Sequence, residues 1–185
     1  MSGIKRVHVI YKTHLDIGYT NMGQTVLDSY VQEHIPHAID LALKINTPEH
    51  KKFIWTVGSF LVDYDKRHAA PEQLEKMDEA IRLGYFRWHG LADTSHTELQ
   101  SPEVLAYNLS VSRKLDRAYG VHTIAAKMTD VPGHKIALVR PLSEAGIRYL
   151  HIGVNPSSRV PRVPEVFRWR RDWHEVIVHY SAQYG

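Results

Sequence analysis

The chain has 185 residues, of which 43% are hydrophobic and 23% charged, so it holds enough apolar sequence to bury the core of one ordinary domain. Its 23 basic and 20 acidic residues leave a net charge of only +3 without blocks of like charge, which argues against nucleic acid as a partner. Cysteine is absent, so disulfides and thiolate metal sites are excluded and any metal must be held by His, Asp or Glu.

The predicted elements alternate between strands and helices along the chain. Apolar runs predict strands at residues 6–11, 52–57, 85–88, 124–128 and 148–152. Helical spacing and capping signals predict helices at residues 24–44 with a bend at Pro36, and at residues 71–83, 101–119 and 135–144. Residues 155–164 are expected to form a loop, followed by a hairpin of residues 166–169 and 175–180. This order predicts an α/β fold with mostly parallel strands.

The N-terminal residues lead directly into the first predicted strand. They include no apolar stretch long enough for a signal peptide or a membrane span. We therefore expect a cytoplasmic protein that does not bind a membrane.

The first strand is followed by a His-x-Asp-x-Gly-Tyr sequence at residues 14–19. Side chains two residues apart on an extended chain share a face, so His14 and Asp16 are expected to leave the same edge of the sheet together. An imidazole and a carboxylate in this arrangement can hold a divalent cation.

Polar residues also follow the later strands. In parallel β/α folds the active groups lie at the carboxyl ends of the strands, so these residues are expected to gather on one rim. They are Asp93, His96 and Glu98 after the third strand, Asp130 and His134 after the fourth, and His151 and Asn155 at the fifth.

Two of these segments together carry a resemblance to family 38 glycoside hydrolases, the zinc-dependent α-mannosidases. The sequence at residues 14–19 resembles the His-x-Asp-x-Gly-aromatic motif that opens their catalytic domain, and Asp-x-Pro-Gly-His at residues 130–134 resembles their Asp-x-Phe-Gly-His motif. The resemblance extends over residues 5–185. It implies a partial seven-stranded β/α barrel of the glycoside hydrolase/deacetylase type, and a chain that is the N-terminal part of a longer catalytic domain.

The resemblance also implies roles for individual residues. His14, Asp16 and Asp130 would be zinc ligands, and manganese or cobalt would also suit this nitrogen and oxygen set. Asp130 would in addition be the catalytic nucleophile of a retaining α-glycosidase of the α-mannosidase type.

Four further residues are predicted to contact a carbohydrate substrate. Tyr19 stands where the family has an aromatic side chain that stacks on the sugar. We add His134, His96 and Glu98, for which capping and turn hydrogen bonds are the alternative role.

The chain departs from the family pattern in two ways. Pro132 replaces the usual Phe and Tyr19 the commoner Trp, which leaves the preferred sugar open. The family's fourth metal ligand and its separate acid/base carboxylate have no counterpart here and are expected beyond Gly185. This predicts an incomplete, inactive fragment whose partner is the remaining C-terminal part of the enzyme; a homo-oligomer also stays open.

Two other functions stay open at this point. A metal-dependent carbohydrate deacetylase would share a related barrel and Asp and His ligands, but such enzymes usually pair two His at helical spacing. A non-catalytic carbohydrate-binding or scaffold module would keep the fold without the chemistry.

Overall fold

The computed structural model describes residues 3–131, 133–155 and 157–181. In these ranges the strands are β1 Tyr11–Lys12, β2 Trp55–Gly58, β3 Phe86–His89, β4 Ala125–Thr129, β5 Tyr149–Gly153, β6 Val166–Arg171 and β7 His174–Ser181. The α-helices are α1 Gly23–Ser29, α2 Ile35–Ile45, α3 Ser59–His68, α4 Pro71–Leu83, α5 Pro102–Tyr119 and α6 Val139–Glu144. A π-helical turn spans Tyr30–His34, and 3₁₀ turns span Thr97–Leu99 and Ile136–Leu138.

The strands form two sheets in which parallel pairing dominates. One sheet has the order β1-β2-β3 and the other β4-β5-β7-β6, and among the described strands only β6 and β7 pair antiparallel. The sheets meet edge to edge where the Gly90 amide donates to the Ala125 carbonyl at 2.8 Å. This confirms the predicted α/β class with mostly parallel strands, while the strands of the described ranges lie in two sheets rather than in a closed barrel.

The first strand is much shorter than predicted. Its regular pairing is confined to Tyr11 and Lys12, which pair with β2, whereas the prediction covered residues 6–11. The apolar side chains that suggested the longer strand, Val7, Val9 and Ile10, remain 68–74% exposed. The apolar alternation therefore predicted a strand in the right place. Because these side chains are largely exposed, packing does not extend the regular pairing over them.

The long helix predicted at residues 24–44 is interrupted. The chain forms α1, passes through the π-helical turn Tyr30–His34 and continues as α2. Pro36 falls in the first turn of α2, where its missing N–H is tolerated. The bend predicted at Pro36 thus coincides with a local change of helix type just before it.

Helix α3 was missed by the sequence analysis. It starts immediately after β2, and its first amides are held by the loop that follows β3. Ser59 donates to the Leu91 carbonyl at 3.3 Å, and Phe60 donates to the Ala92 carbonyl at 3.1 Å. These tertiary hydrogen bonds replace a side-chain cap, so the local sequence carries no start signal.

Helix α5 begins and ends as its sequence predicts. The Val104 amide donates to Ser101 Oγ at 3.3 Å, Pro102 occupies the first turn, and Gly120 ends the helix with a φ of 64°. The helix also positions a neighbouring loop: Asn108 accepts from the Ala92 amide at 2.8 Å and donates to Asp93 Oδ1 at 2.9 Å.

The helices cover one face of the sheets and leave the other face open. On β7, Val176, Val178 and Tyr180 are buried in the larger apolar cluster, whereas Ile177 and His179 on the opposite side are exposed. We call this opposite side the inner face. The inner faces of the two sheets approach each other. Lys127 Nζ on β4 donates to the Thr13 carbonyl after β1 at 3.2 Å.

Every helix in the described ranges is too short or too polar to cross a lipid bilayer.

A buried carboxyl group in α3 makes the stability of the fold depend on pH. Asp65 is fully buried; its Oδ1 accepts from Gln73 Nε2 at 3.1 Å, and its Oδ2 has no hydrogen-bond partner among the described residues. Burial raises the pKa of Asp65 to about 6, although Gln73 and the nearby positive charges oppose the shift.

We expect Asp65→Asn to stabilise the chain at neutral pH. The pKa of Asp65 is higher in the folded state than in the unfolded state, so the folded state favours the protonated side chain. The contribution of Asp65 to the free energy of unfolding is therefore highest below about pH 4 and falls as the pH rises through about 6. At pH 7.5 the Asn variant should be more stable by about 2 kcal/mol, and at pH 4 the difference should vanish. Urea unfolding across this range measures it, with the exposed Asp40→Asn as control; a difference independent of pH would contradict the prediction.

Candidate functional site

Two of the predicted site residues meet across the junction of the two sheets. His14 lies two residues after β1, and Asp130 directly follows β4. His14 Nε2 is 3.3 Å from Asp130 Oδ2, and about 30% of each side chain is exposed. The ends of strands that are far apart in sequence thus bring an imidazole and a carboxylate together where a small molecule can reach both.

The backbone of Asp130 adopts a conformation that is uncommon for a residue other than glycine. Its φ is 76°, in the left-handed region, which Asp tolerates better than most side chains. Its amide donates to the Gly153 carbonyl at 2.9 Å, at the end of β5. Such strain persists when the surroundings determine it, and it is common at functional sites.

Asn155, just after β5, orients the Asp130 carboxylate. Its Nδ2 donates to Asp130 Oδ1 at 3.0 Å, and its Oδ1 accepts from the Ser157 amide at 2.8 Å. The two carboxylate oxygens therefore face different partners: Oδ1 faces the Asn155 amide, and Oδ2 faces His14.

The loop that carries His14 is anchored from two sides. Tyr30, in the π-helical turn, lies 2.8 Å from Thr13 Oγ1 and donates to the His14 carbonyl at 3.4 Å. On the other side Thr129 Oγ1 is 3.5 Å from His14 Nδ1. These contacts hold the imidazole with its Nε2 toward Asp130.

Asp16 shares a pocket with His14. Both line an open depression of about 540 Å³ between the loop after β1 and the first helices. Within the described ranges, however, no three His, Asp or Glu side chains are arranged to hold one metal ion. The pair His14 and Asp130 fits the nitrogen and oxygen donors that zinc accepts, whereas Asp16 is not brought into a three-membered group with them.

His134 is held as a neutral imidazole beside the 3₁₀ turn Thr97–Leu99. Its Nδ1 lies 3.0 Å from Thr97 Oγ1, and its buried Nε2 has no hydrogen-bond partner among the described residues. Burial, assisted by the nearby His96, lowers the pKa of His134 to about 4. At neutral pH this ring therefore carries no charge.

Glu98 and His96 come to the same part of the rim, and both are exposed. A Cβ at Gly133 would lie 2.5 Å from Glu98 Oε2, so the carboxylate rests directly over that glycine. Lys135 Nζ donates to the Gln100 carbonyl at 2.8 Å. The loop after β3 is thereby tied to the segment that follows Asp130.

Tyr19 and Pro132 are the remaining residues of the two motifs that the sequence analysis singled out. Tyr19 is 90% exposed in the loop after β1, with its ring available to solvent. Pro132, the departure within the second motif, lies outside the described residues.

Sequence reasoning placed Asn155 on the rim without naming its function, and it assigned no site role to Thr129 or Tyr30. Asn155 carried a usable signal, because it is the first polar residue after a buried strand end. Thr129 reads as an ordinary strand residue and Tyr30 as part of a helix. Their contacts depend on pairings across the fold that no local pattern contains.

Residues 5–185 match the family model described as "Glycosyl hydrolases family 38 N-terminal domain". No curated protein sequence matches the chain.

Several solved structures are similar to this chain at low sequence identity. An α-mannosidase from Enterococcus faecalis V583 has a TM-score of 0.74 and 13% identity, covering 94% of this chain and 20% of that one. A glycosyl hydrolase family 38 protein from Enterococcus faecalis has a TM-score of 0.67 and 12% identity, covering 91% and 18%. A 4-alpha-glucanotransferase from Thermococcus litoralis has a TM-score of 0.62 and 14% identity, covering 92% and 27%. The chain thus spans about a fifth to a quarter of the length of these proteins, and the likeness concerns the fold.

Proposed function

Because the chain belongs to glycoside hydrolase family 38, a family of glycosidase-type enzymes, we propose that it carries part of the active site of a retaining, metal-dependent α-glycosidase of the α-mannosidase type. The observation that carries the proposal is the contact of His14 with Asp130 at the rim, made by the two segments that resemble the family's motifs. The similar α-mannosidase structure supports the substrate class.

Asp130 is the proposed nucleophile. Its carboxylate attacks the anomeric carbon, the glycosidic carbon–oxygen bond breaks, and the departing oxygen takes a proton from a general acid. Water then hydrolyses the glycosyl ester. Such enzymes place the acid about 5 Å from the nucleophile, and we propose that a further part of the protein supplies it.

His14, Asp16 and Asp130 are the proposed zinc ligands, and the contact between His14 and Asp130 supports the set. A bound zinc ion would supply a positive charge and open positions for sugar hydroxyls. The chain's own contribution is orientation: Thr129 and Tyr30 fix His14, and Asn155 fixes Asp130.

Further residues are proposed to bind the sugar. The exposed ring of Tyr19 offers a stacking surface, and the neutral His134 with the exposed His96 and Glu98 offers hydrogen-bonding groups. We also propose that the two sheets, joined at Gly90 and Ala125, are consecutive parts of the wall of a seven-stranded β/α barrel.

We expect zinc affinity to depend on His14. In protein expressed from the complete gene, His14→Ala should weaken zinc binding by a factor of about ten or more, because a direct ligand is lost. Competition with a chromophoric chelator measures the affinity. His50→Ala, at an exposed position in another loop, is the matched control, and equal affinities for the two variants would refute the ligand role.

Asn155→Ala should lower kcat/KM of the same protein by a factor of about ten, because a hydrogen bond to a charged group is lost while Asp130 remains. Ser157→Ala is the control, since it keeps the amide that donates to Asn155. Steady-state kinetics with an aryl α-mannoside gives both values. Unchanged kinetics in the Asn155 variant would show that the Asp130 carboxylate needs no such support.

Asp130→Asn should abolish glycoside cleavage without unfolding the protein, because it replaces the nucleophile with a side chain of nearly the same volume. Mass spectrometry after incubation with a slow fluorinated glycoside should find a sugar attached to Asp130, and Asp40→Asn should react as the unmodified protein does. Trapping on another residue would exclude Asp130 as the nucleophile. A protein that binds α-mannosides but never cleaves them would instead be a sugar-binding module.

A further inference from the structure

The inner faces of the two sheets enclose an open depression of about 400 Å³ that is separate from the pocket shared by His14 and Asp16. Two lysines and four histidines from several strands and the segment before β1 line it: His8, Lys12, His89, Lys127, His151 and His179. Asp and Glu are absent from the described residues that line it. A surface of one sign of charge between low-dielectric walls concentrates ions of the opposite sign.

Lys127 is the more deeply buried of the two lysines. It is only 9% exposed, and its Nζ donates to the Thr13 carbonyl at 3.2 Å and to Thr129 Oγ1 at 2.9 Å. Both partners are neutral, and no carboxylate pairs with Lys127 within the described part of the chain. Burial and the nearby Lys12 lower the pKa of Lys127 to about 8, which leaves the ammonium mostly charged at pH 7.

The imidazoles beside Lys127 supply neutral hydrogen-bonding groups. Burial lowers the pKa of His89 to about 3 and that of His151 to about 4, so both are uncharged at neutral pH. The rings of His151 and His179 stack with centroids 5.3 Å apart. His89 Nδ1 is buried and lacks a hydrogen-bond partner among the described residues.

The strand register places the main groups side by side. Lys127 on β4 pairs with His151 on β5, which in turn pairs with His179 on β7, so the three side chains stand in one row on the inner face. A buried ammonium is costly unless an opposite charge compensates it. An anion held against this row would provide that charge and accept hydrogen bonds from the neighbouring rings.

We propose that this depression binds an anionic oxygen group, a carboxylate or a phosphate, with Lys127 as the charged anchor and the neighbouring imidazoles as neutral donors. The group can come from a small ion in solution or from an acidic side chain of a polypeptide segment that covers the inner face. Both sources present the same chemistry to Lys127.

The test is a titration of the 185-residue chain with sodium phosphate and, separately, sodium acetate at pH 7 and constant ionic strength. The imidazole NMR signals of His151 and His179 report binding. We expect saturable shifts, a half-saturating concentration raised about ten-fold or more in Lys127→Met, and retained binding in Lys127→Arg. Lys114→Met, at an exposed lysine of α5, should bind as the unmodified chain does.

The outcomes separate the two sources. Phosphate that binds and is also found on the purified chain by ³¹P NMR indicates a small ion, whereas saturable binding of acetate but not phosphate indicates a side-chain carboxylate. Either supports the site. Shifts that do not saturate with either anion, or binding by Lys127→Met equal to that of the unmodified chain, would overturn it. If Lys127→Met does not fold, the unmodified chain and Lys127→Arg still decide the result.

Discussion

The arrangement of the site depends on the edge-to-edge junction between β3 and β4. The Gly90 amide and the Ala125 carbonyl join two sheets that otherwise share no ladder. Because pairing within each sheet is mostly parallel, this junction brings the carboxyl ends of β1 and β4 to one rim. A Cβ at Gly90 would lie 2.4 Å from Cδ1 of Ile147, so a larger residue at this position would require the Ile147 side chain to move. The contact between His14 and Asp130, 116 positions apart, is a consequence of this packing.

The site combines a strained backbone at Asp130 with hydrogen bonds that hold its functional side chains. The backbone of Asp130 adopts a left-handed conformation, which costs free energy for a residue with a side chain. Its amide is held by Gly153 at the end of β5, and its carboxylate by Asn155 just after β5. His14 is held by a tyrosine of an irregular helical turn and by the threonine that precedes Asp130. Each functional side chain is thus fixed by a different element from the one that carries it. This arrangement favours a precise geometry over a flexible one.

The sequence predicted those parts of the fold that local chemistry determines. Helix α5 follows from Ser101, Pro102 and Gly120, and the strand β4 from its apolar run. Helix α3 could not be predicted, because its first amides bond to the distant carbonyls of Leu91 and Ala92. The length of β1 was overestimated for the opposite reason: the apolar pattern is present, but its side chains remain exposed.

The same distinction applies to the site. Strand ends and motif spacing were sufficient to expect His14 and Asp130 on one rim, since parallel strands align their carboxyl ends. Asn155, Thr129 and Tyr30 act through hydrogen bonds between elements, and a hydrogen bond of this kind has no periodicity in sequence. The proposed role of Tyr19 rests on the motif, and that of Asp16 rests on the motif and on the pocket that it shares with His14.

The hydroxyl group of Thr129 connects the inner face with the rim. Thr129 Oγ1 accepts from Lys127 Nζ and approaches His14 Nδ1, so it stands between the charged depression and the imidazole that faces Asp130. Lys127 and Thr129 lie two residues apart on β4 and therefore point to the same side of the sheet. A hydroxyl that accepts a hydrogen bond from an ammonium becomes a stronger donor, so the bond from Lys127 favours donation by Thr129 Oγ1 toward His14 Nδ1. Lys127 also donates to the carbonyl of Thr13, directly before His14, so two contacts of one ammonium tie the inner face to the segment that positions the imidazole at the rim.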